Sequence, residues 1–531
     1  MRCLKFLRCH FAQIVLSIYL GLVWNILVFQ FAQKLFDTGL GKLIYSFIII
    51  GVFFVSFLLV SFVINRLKKI SCPRKPDFTK KQKVYTFAFA SALFFFTSLI
   101  WFLAYSPGGL SNDSFTQLLQ VESGSYNDWH PVLHTILAFT IPLKLFGSVE
   151  SIAVCQIAIF SLAMGYMVET IVELLGKKWG LAALCLLLFN PFVFDELMYP
   201  WKDVAFAITA VLVATTVARI IFIKNEISYF QICFVAICLG VATFLRHNAL
   251  LFTIPLILSL WFYFERKAWL VLVAIFSIFV FVVKVPFYSL IGVEAPDKRA
   301  EEMVGLPLTV LGNVMKETPS ALDEETFDFM SKIAPQEKWV SDYLVGNFNA
   351  IKWKDIDLAG VDEVGAGRVL LYSIRAIIRA PRASLDSAFS ATQVVYGLEN
   401  VVGYSVVPEV LDSNPKGIVA SGSESLRNVI NAYRSLFQNS VLKYFGYIGT
   451  TILVMLFFIF GMDHRKGIGW KRFLLCFPII LYDFGTMLFL SGPELRFFYV
   501  NYLIYPLVVA IAIVLSARKW SHPDKLGILH R

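Results

Sequence analysis

Runs of about 20 almost purely apolar residues recur along this chain, and each is long enough to cross the hydrocarbon of a bilayer as one helix. They fall at residues 11–32, 43–64, 84–104, 151–174, 180–195, 203–223, 230–246, 249–264, 268–288, 443–461, 473–490 and 498–516. A backbone amide in lipid has no water to bond, so a run of this kind closes its own hydrogen bonds as a helix. The fold class that follows is an all-α polytopic membrane protein, a bundle of about twelve transmembrane helices. The 531 residues are 58% hydrophobic and only 16% charged, which excludes a soluble reading. Basic residues in Met1–His10 lead into Phe11–Phe31 as in a signal peptide. That apolar run is long and lacks a small-x-small cleavage site, so a retained first helix is expected.

Positive charge sets the sidedness. The stretch Arg66–Lys83 carries eight Lys/Arg against one acidic residue and is expected in the cytoplasm, which puts the loop after the third helix outside. A thirteenth apolar stretch, Pro131–Phe146, is short and contains Pro142 and Lys144. If it crosses, the basic loop Gly461–Arg472 and the pair Arg518-Lys519 end up outside. If it lies along or dips into the outer face, every basic loop returns to the cytoplasm. The second arrangement is expected, with both termini cytoplasmic and Pro131–Phe146 as a juxtamembrane or re-entrant element.

Four organisational units follow. Residues 1–83 hold two added helices and a basic cytoplasmic loop, and 84–289 a transmembrane core with the outer loops. Residues 290–441 form an acidic, mainly helical extracytoplasmic domain, and 442–531 the C-terminal spans. Between Leu290 and Val441 there are 14 Lys/Arg against 20 Asp/Glu, a net of −6, while the whole chain is +10. That asymmetry argues against nucleic acid as a partner and for membrane lipids and orientation signals. None of the eight Cys lies in 290–441, so no disulfide framework or Cys-based metal site is expected there. Helical patterns occur at Arg368–Arg379 and Ser423–Phe437, and Arg375, Arg379 and Arg382 stripe the first of them and its continuation past Pro381; headgroup contact and a solvated face both suit that stripe.

Polar residues gather in four places that this topology brings to the outer side. They are Ser111-Asn-Asp-Ser-Phe-Thr-Gln117 with Asp128-Trp-His-Pro-Val-Leu-His134; Asp195 to Asp203; Arg246-His-Asn248; and Ser491-Gly-Pro-Glu-Leu-Arg496. Ionisable groups at membrane ends are costly unless a site uses them. No Walker loop, dinucleotide fingerprint, HExxH or GxSxG on a strand-to-helix turn is present, so an ATP-driven reaction is not expected. An outer Asp with scattered Arg and Lys suits transfer from a lipid phosphate. A carboxylate orients or deprotonates the attacking hydroxyl, and cations hold the leaving phosphate.

The same residues carry a resemblance. Asp113 in the first outer loop, followed by Trp129-His-Pro-Val-Leu-His134, resembles the GT-C superfamily of polytopic glycosyltransferases that use polyprenyl-phosphate sugars. Together with Lys202-Asp203, Leu245-Arg-His-Asn248, Pro493-Glu-Leu-Arg-Phe-Phe-Tyr499 and Gly305-Leu-Pro-Leu-Thr309, the pattern is similar to a bacterial family of GT-C-like membrane proteins. The likeness runs from about residue 84 onward. It implies a GT-C-like bundle in a bacterial cytoplasmic membrane. The implied partners are a polyprenyl-phosphate sugar donor and an envelope glycan or lipid acceptor. It makes Asp113 the catalytic carboxylate and places Lys202 and Asp203 in the second acidic loop. Arg246 and Arg496 become phosphate contacts, with His130, His134, Asn248 and Glu494 in the substrate-binding set. The first loop holds one acidic residue and not a paired DxD, so no metal or other cofactor is assigned.

Each residue also has a plainer role. Asp113 suits the start of a helix at Asn112. His130 and His134, four apart, share a helix face and suit a metal, a phosphate or interface packing. Asp203 suits a helix dipole, Arg246 a headgroup, and Glu494 and Arg496 a mutual clasp. The rival function is a transporter or flippase of a lipid-linked or anionic solute, which would carry charges near the midplane and broken helices in an internal repeat. A glycan polymerase or ligase of another fold is a third.

Overall fold

A computed structural model describes residues 2–32, 39–67, 78–223, 228–295, 300–398, 407–461 and 469–517. Most of Arg66–Lys83 and of the loop after Gly461 lies outside the described residues, as do Arg518 and Lys519. Among the described residues the chain is helical, with isolated β-bridges and no strand.

Among the described residues six helices are long and apolar enough to cross a membrane: Leu43–Leu67, Lys80–Tyr105, Glu150–Leu175, Lys202–Phe222, Arg266–Leu290 and Leu495–Leu515. A seventh crossing results if Lys177–Leu188 and Pro191–Leu197 act as one span bent by 61°. The bend has a local cause. Pro191 has no amide proton for a continuing helix, and Asn190 restarts the chain as a cap, its Oδ1 accepting from the Phe192 amide at 3.1 Å. The remaining expected spans appear as apolar helices of 10–17 residues: Phe11–Ile26, Tyr229–Leu245, His247–Leu260, Ile448–Gly461 and Leu475–Met487, with Val132–Phe146 beside them. These features are those of a multi-pass membrane protein.

Burial ranks the helices. The Leu495–Leu515 window is 100% buried inside the protein, against 17% for Leu43–Leu67 and for Arg266–Leu290. A helix apolar on all sides is stable in the middle of a bundle, and Lys202–Phe222, Glu150–Leu175 and Ile448–Gly461 pack directly around it. Lys80–Tyr105 lies along Glu150–Leu175 so closely that a Cβ at Gly165 would overlap Ser91, the small-residue contact typical of helices in lipid. Thr79 and Gln82 cap the start of Lys80–Tyr105 reciprocally.

Residues 304–383 enclose a hydrophobic core of their own around Trp339, Tyr343 and Phe348. Helices form at Glu324–Ile333, Ala366–Arg379 and Glu424–Gln438, as the sequence patterns require. Arg375 and Arg379 point at Asp323 and Glu325, which makes that stripe part of an intramolecular ion-pair group. Two other stretches of 290–441 tie down the loop region that follows helix Lys80–Tyr105. The Leu110 amide donates to Glu409 O at 2.9 Å, Ser421 N to Ser106 O at 2.8 Å, and Asp128 N to Glu294 O at 3.0 Å.

Candidate functional site

Arg496 stands in a short 3-10 turn, Leu495–Phe498, just ahead of the buried helix Val500–Ala517. Its Nη1 donates to Asp113 Oδ2 at 2.9 Å and its Nε to Glu494 Oε2 at 2.7 Å. The guanidinium lies 5.0 Å from the centroid of the Trp201 ring and 5.2 Å from that of Phe497. Trp201 stacks on Tyr199 at 4.0 Å with 7° between the planes, and its Nε1 donates to Ser111 Oγ at 3.0 Å. Planar stacking below and two carboxylates at the rim fix the orientation of the arginine fork.

Asp113 occupies the first turn of helix Asn112–Ser123, where the dipole favours an anion, but its carboxylate faces Arg496. Burial works to raise the Asp113 carboxyl. The charges of Arg496, Lys202 and His130 and the Arg496 hydrogen bond outweigh it and hold the group well below the usual carboxylate range.

Lys202 opens helix Lys202–Phe222 directly after Trp201. Its charge bears on Asp113 and His130, yet among the described residues it makes no ion pair. Desolvation, and then Lys202, push His130 down to about 4, so its ring is neutral at neutral pH. His130 Nδ1 is buried without a hydrogen-bond partner. His134 Nδ1 lies 2.7 Å from Gln117 Oε1, which also accepts from Thr135 Oγ1 at 3.1 Å. The amide oxygen fixes the His134 proton on Nδ1 and leaves Nε2 as a buried acceptor with no partner. No three His, Cys, Asp or Glu side chains among the described residues are grouped to hold a metal ion.

Asp203 and Arg246 pair with each other, with side-chain exposures of 0% and 6%. Arg246 also lies 4.3 Å from the centroid of Phe497 and donates to Phe497 O at 3.2 Å, an oxygen that accepts from Tyr482 as well. The arginine therefore supports Phe497, which in turn packs on Arg496. Asn248 turns aside, its Nδ2 donating to Thr486 Oγ1 at 2.9 Å. Glu494 receives a second donor from the 290–441 segment, Asn349 Nδ2 at 2.8 Å.

Four segments far apart in sequence thus meet at one place, with Asp113, His130, Lys202, Asp203, Arg246, Glu494 and Arg496 clustered and His134 behind Gln117. Asp128, between helix Asn112–Ser123 and His130, is engaged elsewhere by Lys284 at 2.8 Å and Tyr288 at 3.3 Å. Sequence reasoning passed over Ser111, Gln117, Tyr199 and Glu196. Their signal was adjacency alone: all lie inside or beside the polar stretches. Glu196 is 1% exposed, and neither carboxyl oxygen has a hydrogen-bond partner. Its neighbour Asp195 is paired with Arg434 at 2.7 Å and accepts from Trp101 Nε1 at 2.9 Å.

The fold and this cluster define an all-helical, multi-pass membrane protein with a composite cationic and carboxylate site. Comparison of the chain with protein-family models, with curated proteins and with solved structures finds no match in any of the three.

Proposed function

We propose that the protein is a membrane glycosyltransferase that moves a sugar from a polyprenyl-phosphate-linked donor to an envelope glycan or lipid acceptor. The observation that carries the reading is Asp113 held at 2.9 Å by Arg496 beside the unpaired Lys202. Lys202 and the free edge of Arg496 supply two cations for a phosphate, and the neutral His130 adds a polar ring without further charge. The acceptor hydroxyl attacks the anomeric carbon as the bond from that carbon to the phosphate oxygen breaks. The electron pair leaves on the phosphate, and the hydroxyl proton passes to Asp113. A carboxylate held so acidic is a weak base at rest, so its main work is to align the hydroxyl. It accepts the proton only as the forming bond makes that hydroxyl acidic.

In this reading about twelve helices cross the bilayer: the six long ones, the bent pair and the five shorter apolar helices, with Val132–Phe146 at the outer face. Residues 290–441 are extracytoplasmic and the membrane is a bacterial cytoplasmic membrane. The prenyl tail lies between helices while its phosphate reaches the cluster.

One observation favours the transport alternative. Asp483 is fully buried in an apolar helix, is bonded by Asn501 at 2.7 Å, and carries a second oxygen with no partner. Intramembrane carboxyls of this kind mark ion and proton paths in transporters. Replacing Asp113 by Asn at wild-type membrane abundance, and comparing envelope glycans with wild-type and deletion cells, separates the two. Loss of the same sugar in mutant and deletion supports the transferase; an intact glycan in Asp113→Asn with an altered one in the deletion supports transport.

A further inference from the structure

Glu196 has no assigned task in the reaction above, yet it is the carboxyl that the site leaves unbalanced. Four cations serve four carboxylates at this end of the bundle. Arg496 holds Asp113 and Glu494, Arg246 holds Asp203, Arg434 holds Asp195, and Lys202 acts on Asp113 from outside ion-pair distance. Glu196 is a fifth carboxyl. It is 1% exposed and, among the described residues, has no cationic nitrogen within ion-pair distance and receives no hydrogen bond at either oxygen. It sits on the short helix Pro191–Leu197, set off by the 61° bend at Asn190–Pro191, and three residues after Glu196 the chain enters the Tyr199–Trp201 platform under Arg496. The charge of Arg496 favours its ionised form and those of Asp203, Asp195 and Glu494 oppose it; Tyr499 and Tyr199 are its further titratable neighbours.

An ionised carboxylate in that position would face three negative groups with one cation to share, without the hydrogen bonds that a buried charge requires. A neutral carboxylic acid escapes the charge part of that penalty, keeps the smaller cost of an unpartnered polar group, and offers one strong O–H donor. We infer that Glu196 is a proton-bearing member of the site, a neutral acid whose O–H donates to a phosphoryl oxygen of the ligand held between Arg496 and Lys202. No covalent bond changes in this role: Glu196 keeps its proton and shares it by hydrogen bond. The ligand half of the inference rests on the phosphate reading above, whereas the protonation of Glu196 stands on burial and charge balance alone.

The test uses the full-length protein in lipid nanodiscs and infrared difference spectroscopy in water and in heavy water. At neutral pH the spectrum of wild type minus Glu196→Gln should contain the carbonyl stretch of a protonated carboxyl, shifted in heavy water and absent from wild type minus Asp113→Asn. Adding undecaprenyl phosphate, or inorganic phosphate in a parallel arm, should move that band. A response to the lipid alone shows that the prenyl chain is needed to seat the phosphate; a response to both shows that the head group suffices. Binding of undecaprenyl phosphate gives a second readout. Glu196→Gln keeps a neutral donor and should bind within about threefold of wild type, whereas Glu196→Ala should lose roughly tenfold. No band lost in Glu196→Gln, or a tenfold gain in phosphate affinity on removing the group, overturns the inference, since either means that Glu196 is ionised. A band that ignores both phosphates overturns the ligand role. Because none of these readouts needs turnover, a failure to transfer sugar would sink the transferase reading and leave Glu196 standing.

Discussion

Arg496 and Asp113, 383 residues apart in the chain, meet at 2.9 Å, and the same guanidinium holds Glu494 at 2.7 Å. One cation therefore keeps two carboxylates from repelling each other. Arg496→Ala should destabilise the protein by about 2–3 kcal/mol, because it strands both. Adding Asp113→Asn to it should cost less than the sum of the two single changes. Thermal unfolding of the two single variants and the double in detergent gives the coupling; strictly additive costs would mean that the pair is not coupled.

The Asp203–Arg246 pair is more deeply buried and should be less forgiving. Either Asp203→Asn or Arg246→Met alone leaves an uncompensated buried charge and should cost on the order of 3–5 kcal/mol, while the double change recovers part of it. Expression level and unfolding temperature of the three variants check this. Equal losses in all three would place the cost in Phe497 packing instead of the charge.

His130 predicts a pH effect on stability. Its folded value lies near 4 against an ordinary 6.5, lowered by desolvation and then by Lys202, with Asp113 opposing and Arg496 and His247 adding to the shift. The unfolded chain therefore binds the proton more readily between those values, and its contribution to stability is lost as pH falls from 6.5 toward 4. The full effect is on the order of 3 kcal/mol. His130→Gln should flatten the acid side of a stability-against-pH curve; an unchanged slope would show that the imidazole is already protonated in the fold.

Gly109 tests the aromatic platform. A Cβ there would overlap the Tyr199 ring, which cannot move without shifting Trp201 beneath Arg496. Gly109→Ala should cost about 1–3 kcal/mol and reduce site function together with stability. Trp201 fluorescence in a background lacking the other tryptophans reports the displacement, and an unmoved spectrum would show that the loop absorbs the methyl group.

The orientation is open to labelling. In a functional background freed of native cysteines, Ser125→Cys should react with a membrane-impermeant maleimide on intact cells. Lys177→Cys should react only after permeabilisation; both positions are exposed. The reverse pattern would put Asp113 in the cytoplasm and remove the outward-facing transferase.

Where the helices form is written in the local composition of the chain. Apolar runs needed internal hydrogen bonds, so the stretches expected to span are helical in the fold, the one at 180–195 as a bent pair of helices. Local chemistry placed their starts, as at Thr79, at Pro191 and at Lys202. The polar stretches that build the site were legible for the same reason, since charge among hydrocarbon is conspicuous. How those groups are paired depends on which distant helices pack together. Arg246 reads as a phosphate contact in the chain and is engaged by Asp203 in the fold. Glu196 reads as one more acidic loop residue and, among the described residues, has neither an ion-pair nor a hydrogen-bond partner. Helical periodicity specifies which face of a helix is apolar, but not which distant helix lies against it. Contacts between residues such as 113 and 496 arise only when the whole bundle closes around the helix at Leu495–Leu515, and burial then fixes which charges must find each other.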